Sequence, residues 1–146
     1  KKGLNKNVEA LLSLGENGKQ ANGDANQLIR AAVASGNEET VKLLLGKGAK
    51  VDFTDEDGNQ LIHVAALQGN AKVVSALLAA GARVDAVDAL FGRQPLHHAA
   101  QKGNLDVIKT LLAAGARKDA RDRSGATAAE LAERGKRTEA AAYLAQ

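Results

Sequence analysis

The 146-residue chain has no cysteine, no methionine, no tryptophan and a single proline. Without cysteine there is no disulfide, no thiolate metal site and no cysteine nucleophile. The same absence leaves the redox compartment open, because such a chain folds in either environment. Aromatics make up only 2% of the residues, namely Phe53, Phe91 and Tyr143. The apolar content is mostly Ala, Leu and Val, so large rings cannot fill the core and its helices must pack closely. No apolar run is long enough to cross a bilayer, since stretches such as "LLAAGA" stop at Gly and then charge. Signal-peptide patterns and N-glycosylation triplets are also missing. There is no initiator Met, which leads us to expect a trimmed or processed chain.

Charge of one sign is not concentrated in any stretch. The net charge is +3, distributed as +3, −3 and +3 over residues 1–50, 51–100 and 101–146. A phosphate track asks for a basic stripe or interleaved aromatics. An acidic middle between mildly basic ends is a poor one, and no nucleic-acid partner is expected.

What the chain does have is a repeat, the first thing to seek in a sequence. "AAVASGNEETVKLLLGKGAKVD" begins at Ala31, "VAALQGNAKVVSALLAAGARVD" at Val64 and "HAAQKGNLDVIKTLLAAGARKD" at His98. Gly36, Gly69 and Gly103 recur at intervals of 33 and 34 residues. Gly48, Gly81 and Gly115 keep step, as do Asp55, Asp88 and Asp122. Each unit reads as two helices and a turn. In the third, a short helix over about 94–102 ends at Gly103, which takes the left-handed cap conformation without a Cβ penalty. Asn104 then stands as N-cap of a second helix whose stripe is Val107, Ile108, Leu111 and Leu112. Gly115 stops that helix, and a short charged segment follows that suits a hairpin-like finger. One helix pair cannot bury its own stripe, so neighbours must stack.

The order G-x-x-P-L-H-x-A-A-x-x-G, then V-x-x-L-L-x-x-G-A, then D-x-x-G, resembles the ankyrin repeat. The third unit carries it best, through Gly92, Pro95, Leu96, His97, Ala99, Ala100, Gly103, Val107, Leu111, Leu112, Gly115, Ala116 and Asp122. The second has Gly58, His63, Ala65, Ala66, Gly69, Val73, Leu77, Leu78, Gly81 and Ala82. The first has Leu28 and Arg30 where Pro and His belong, and the fourth has Glu130 for the His. The Thr that precedes the Pro in the family is Gln27, Gln60 and Gln94 here. That removes a good N-cap and leaves the usual Thr–His hydrogen bond open.

The resemblance implies an all-α repeat solenoid of stacked helix-turn-helix units with hairpin-like fingers, one domain over 1–146. Its divisions are a partial unit 1–25, units of about 26–58, 59–91 and 92–125, and a C-terminal capping unit 126–146. "GLNKNVEALLSLG" (3–15) aligns on residues 36–48 without a gap. The chain is therefore expected to open on the second helix of an earlier unit, whose first helix or cap lay upstream.

Enzyme chemistry has little to stand on. His63 and His97 share a repeat column with Arg30 and Glu130, so the column is not a ligand set. Packed helices lie roughly 8–10 Å apart, whereas a zinc needs its imidazole nitrogens at about 2 Å. By resemblance these two histidines bond the backbone of the turn. His98 is not required by the repeat, its counterparts being Ala31, Val64 and Leu131. It is read as a surface contact, or as a solvated or half-buried side chain. "DFTDEDGNQLIHV" lacks both key carboxylates of a calcium loop. "GKGAKV" lacks the ending of a phosphate loop. Ser13, Ser35, Ser75 and Ser124 sit in no nucleophile elbow. We expect no catalysis, no cofactor and no metal.

Ankyrin-like stacks bind through finger tips and the exposed side of the first helices, so the resemblance implies a non-catalytic scaffold for a partner protein. Two finer forms are an inhibitor or immunity-type protein that occludes an enzyme, and a regulatory module of a larger protein. The contact positions are then Phe53, Glu56, Asp57, Leu67, Leu90, Phe91, Arg93, His98, Gln101, Arg121 and Arg123. Acidic residues cluster before unit two and arginines before unit four, which gives a charge gradient able to steer association. The interval Asp88–Gly92 is one residue longer than Asp55–Gly58 or Asp122–Gly125. It places Leu90 and Phe91 where other fingers carry Glu56 and Asp57, or Arg123 and Ser124. That tip either folds back on its neighbour or presents its ring to a partner. We further expect a monomer without membrane insertion. The resemblance leans towards the cytoplasm, with an exported or periplasmic chain left open.

Overall fold

The computed structural model describes the backbone of residues 21–146 and side chains from residue 26 onward. The expected helix over the start of the chain lies outside the described residues. Among these residues the elements are eight helices: α1 Ala21–Ser35, α2 Glu38–Gly46, α3 Leu61–Gln68, α4 Ala71–Ala79, α5 Pro95–Lys102, α6 Leu105–Ala113, α7 Ala128–Arg134 and α8 Thr138–Leu144. They form an all-α solenoid. First helices stack in the order α1, α3, α5, α7, and second helices in the order α2, α4, α6, α8.

The layer between the two stacks is the core. Second helices contribute the branched side chains Val41 and Leu44, Val73 and Leu77, and Val107, Ile108 and Leu111, all fully buried. First helices contribute the small pairs Ala65–Ala66 and Ala99–Ala100, also fully buried. Alanine on this inner face is what lets the short helices approach closely in a chain almost without aromatics. In the last unit Ala132, Ala140 and Leu144 are buried against the stack, while Glu133, Arg134 and Lys136 are exposed.

Local signals set the helix ends. Gly69 and Gly103 close α3 and α5 at φ 81° and 77°, where a side chain would be strained. Pro95 occupies the first turn of α5, where its missing N–H is not needed. Asn70 Oδ1 caps α4 by accepting from Lys72 and Val73 N–H at 3.1 and 3.2 Å. Its Nδ2 donates to Gly36 O at 3.1 Å, so one side chain both starts a helix and ties two units. Asn104 departs from expectation. It holds the N-cap position of α6 but makes no side-chain cap bond. The side chain lies against Gly69 of the preceding unit, close enough that a Cβ there would collide with it.

Candidate partner-binding surface

Among the described residues three fingers project from the stack, each built on an aspartate. Asp55 N–H donates to Asn59 O, Asp88 N–H to Arg93 O and Asp122 N–H to Ala126 O, each at 2.9 Å. The closing bond spans four residues in the outer fingers and five in the middle one, which locates the extra residue between Asp88 and Arg93. One carboxylate oxygen then organises each turn from within. Asp55 Oδ1 accepts from Asp57 and Asn59 N–H at 2.9 and 2.8 Å. Asp88 Oδ1 accepts from Phe91 N–H at 2.7 Å and Arg93 N–H at 3.5 Å. Asp122 Oδ1 accepts from Ser124 and Ala126 N–H at 2.9 and 3.0 Å, and from Ser124 Oγ. Sequence reading saw the aspartate column but missed this role, which a side chain bonding its own backbone two residues on could have suggested.

The other carboxylate oxygen meets a different partner in each finger. Asp55 Oδ2 is 3.8 Å from the Arg30 guanidinium and Asp122 Oδ2 is 3.2 Å from Arg93 Nε. Asp88 Oδ2 is 2.8 Å from His98 Nε2, and both side chains are buried. This corrects the reading of His98 as a surface contact or a solvated side chain. It faces inward because Asp88 needs a buried donor, and its ring meets His63 edge-on at 5.5 Å. Burial pushes His98 below the usual imidazole value, against the opposing pull of Asp88. Burial would raise Asp88, but Phe91 N–H, His98 and Arg93 N–H hold it below its usual range. The pair is thus a neutral imidazole donating to a carboxylate. Asp122, despite burial, is held down to about 2 by Ser124, Ala126 N–H and Arg93.

His63 and His97 anchor the fingers from below. His63 Nδ1 accepts from Gln60 N–H at 2.9 Å, so its proton sits on Nε2, which donates to Ala86 O at 2.8 Å. His97 repeats this with Gln94 N–H at 3.0 Å and Ala120 O at 3.0 Å. Each ring closes the start of its helix and grips the finger 23 residues on. The Gln column therefore does not disable the histidines. In α7, Thr127 and Glu130 perform the cap reciprocally, with Glu130 Oε2 accepting from Thr127 N–H at 3.1 Å. Burial lowers the pKa of both histidines. Among the described residues no group of three or more ligating side chains could hold a metal.

The middle finger ends in an apolar tip. Val87, Leu90 and Phe91 are 57%, 55% and 50% exposed, and they are the exposed large hydrophobics of the described residues. Phe91 does not fold back into the core. Its ring carries the Arg93 guanidinium 4.7 Å from its centroid, its N–H is held by Asp88, and its C=O accepts from Arg123 N–H at 2.9 Å. The tip is therefore fixed before any partner arrives.

The remaining expected contact residues sort by what they touch. Glu56 and Asp57 are exposed at the first finger, while Phe53 is half-buried against the core. Leu67 is half-buried on α3. Arg93 is engaged by Asp122, by Phe91 and by Gln101 Oε1 at 3.0 Å, which makes it a brace between fingers and helix. Arg123 Nη1 donates to Ala89 O and Leu90 O at 2.5 and 3.2 Å, so it too supports the tip. Arg121 is exposed and bonds Gly125 O in its own finger at 2.6 Å.

No curated protein matches the chain. The family model for ankyrin repeats (3 copies) matches residues 1–88 and again 62–146, which together span the chain. The stacked helix pairs, the histidine-anchored fingers and this match make the chain a member of the ankyrin-repeat family, a family whose repeats generally mediate protein–protein interaction.

Proposed function

We propose that the chain holds a partner protein through the middle finger, with Phe91 and Leu90 as the anchor and Gln101, at the exposed end of α5, beside it through its bond to Arg93. The observation that supports this is the tip itself. Leu90 and Phe91, each about half exposed, follow one another on a turn braced by Asp88, Arg93 and Arg123, and the exposed Val87 comes just before that turn. An aromatic held rigid and ringed by charge loses little entropy on binding, and such anchors often carry about 2 kcal/mol or more.

The test is capture of interacting protein from the source cell by wild-type chain and by Phe91→Ala, quantified side by side. A protein retained by wild type and lost by at least about tenfold in Phe91→Ala supports the reading. Equal retention by both variants, with both correctly folded, refutes it. The finer roles separate on the same material. An inhibitor lowers the activity of a captured enzyme when mixed with it in equal amounts. A regulatory module leaves that activity unchanged.

A further inference from the structure

The three fingers stand in a row whose character changes along it. The first carries Asp52, Glu56 and Asp57, exposed and in no ion pair among the described residues. The middle one carries the apolar tip. The third carries Arg121 and Arg123, exposed and bonded to backbone carbonyls but to no carboxylate. The fingers are neighbours in that order. Gly58 lies so close to Ala89 that a Cβ would overlap it, and Arg123 N–H reaches Phe91 O at 2.9 Å.

A row ordered acidic, apolar, basic is complementary to itself when turned through a half-circle about its middle. Apolar tip then meets apolar tip, and each acidic finger meets a basic one, twice over. We propose that the tip docks on a second copy of this chain, as a two-fold pair formed finger to finger. The proposal rests on the reading of the tip as a docking surface and names one occupant for it. A different protein would need the reverse order, basic, apolar, acidic, and the chain itself already presents that order when inverted. Self-complementarity of one patch is what a two-fold interface requires. Three half-exposed side chains per copy make a small apolar contact, below that of a standard stable interface. The pair is therefore weak and forms in the range of about 10 μM to 1 mM. It competes with any other protein for the same tip.

Sedimentation equilibrium of the full chain tests this over about 10 μM to 1 mM, at about 50 mM and 500 mM salt. We expect a dimer that weakens several-fold in the higher salt, and that Phe91→Ala reduces to monomer. Glu56→Arg alone and Arg121→Glu alone should each weaken pairing at least about threefold, since every contact occurs twice. The two together exchange the signs and should restore pairing to near the wild-type level. Melting temperature and circular dichroism establish that each variant is folded. A wild-type chain monomeric at the top concentration overturns the proposal. So does a combined variant that pairs no better than either single one, or a dimer indifferent to Phe91→Ala. A wild-type monomer whose captured protein still depends on Phe91 removes the second copy and leaves the docking surface standing.

Discussion

The fingers around Asp88 and Asp122 share a base and differ at the tip. In both, a histidine 23 residues upstream of a backbone carbonyl grips the finger, and the aspartate N–H closes the turn. In both, one carboxylate oxygen gathers the backbone N–H groups of the turn. The shorter finger ends in Arg123 and Ser124, and the longer ends in Leu90 and Phe91. Their second oxygens also differ, one meeting the permanent cation Arg93 and the other the neutral His98. The base carries the fold and so is repeated. The tip is free of that duty and can vary.

The largest effect should come from removing the aspartates. Asp88→Ala leaves the partly buried N–H groups of Phe91 and Arg93 and the buried donor of His98 without their acceptor. We expect a loss of about 3 kcal/mol in urea unfolding, the usual result of orphaning buried donors. Asp122→Ala should cost at least as much, because it also strips Arg93 of a carboxylate that is almost fully buried. A loss under about 1 kcal/mol for Asp88→Ala would show that the longer turn holds without its aspartate and that the two bases are not equivalent.

Acid should separate the two fingers more gently. His63, His97 and His98 all have their pKa lowered by burial, so the unfolded chain binds protons more readily than the folded one just below 6.5. Stability is therefore full above that value and falls as pH drops through it. A second fall follows below 3.8, where the unfolded carboxylates protonate while Asp88 and Asp122 resist, Asp122 down to about 2. His98→Gln keeps a donor for Asp88 and removes one titrating ring. It should flatten the first fall by up to about 1.4 kcal/mol per pH unit, the weight of one proton. Thermal melts of both proteins from neutral to acidic pH measure this. An unchanged slope would place no share of the titration in the Asp88–His98 pair.

Most of the scaffold was legible in the residues. The glycine and Leu–Leu columns foretold the helix pairs, because period and stop signals are local. The role of His63 and His97 came through resemblance and agrees with their bonds to Ala86 and Ala120. His98 was misread because its partner lies ten residues away on the finger, and only the folded turn brings Asp88 Oδ2 to it. Arg93 and Arg123 were read as contact positions, and their bracing of the fingers was hidden for a similar reason. Their partners, Asp122 for the one and the carbonyls of Ala89 and Leu90 for the other, belong to the neighbouring finger. Contacts between fingers depend on how the units stack, and spacing within one unit does not report them. Leu90 and Phe91 were legible because an insertion in a repeat is visible against its neighbours.

The smallest effect on the fold should come from removing that insertion. Deleting Leu90 gives the middle finger the length of the others, with Phe91 two residues after Asp88. In the outer fingers the residue at that place, Asp57 or Ser124, donates its N–H to the aspartate at 2.9 Å. The Asp88 carboxylate can therefore accept Phe91 N–H in the same way, and Asp88 N–H can still close on Arg93 O. Leu90 itself is more than half exposed, so little burial is lost with it. Its carbonyl takes only the longer of the two Arg123 bonds, and the bond to Ala89 O remains available. We expect unfolding free energy to change by less than about 0.5 kcal/mol, as for a surface change away from the core. Partner capture and pairing should both drop, because the paired hydrophobic platform is gone. A loss above about 2 kcal/mol would instead assign the extra residue to the fold. The longer finger would then be a structural variant of the shorter ones rather than a tip set apart for contact.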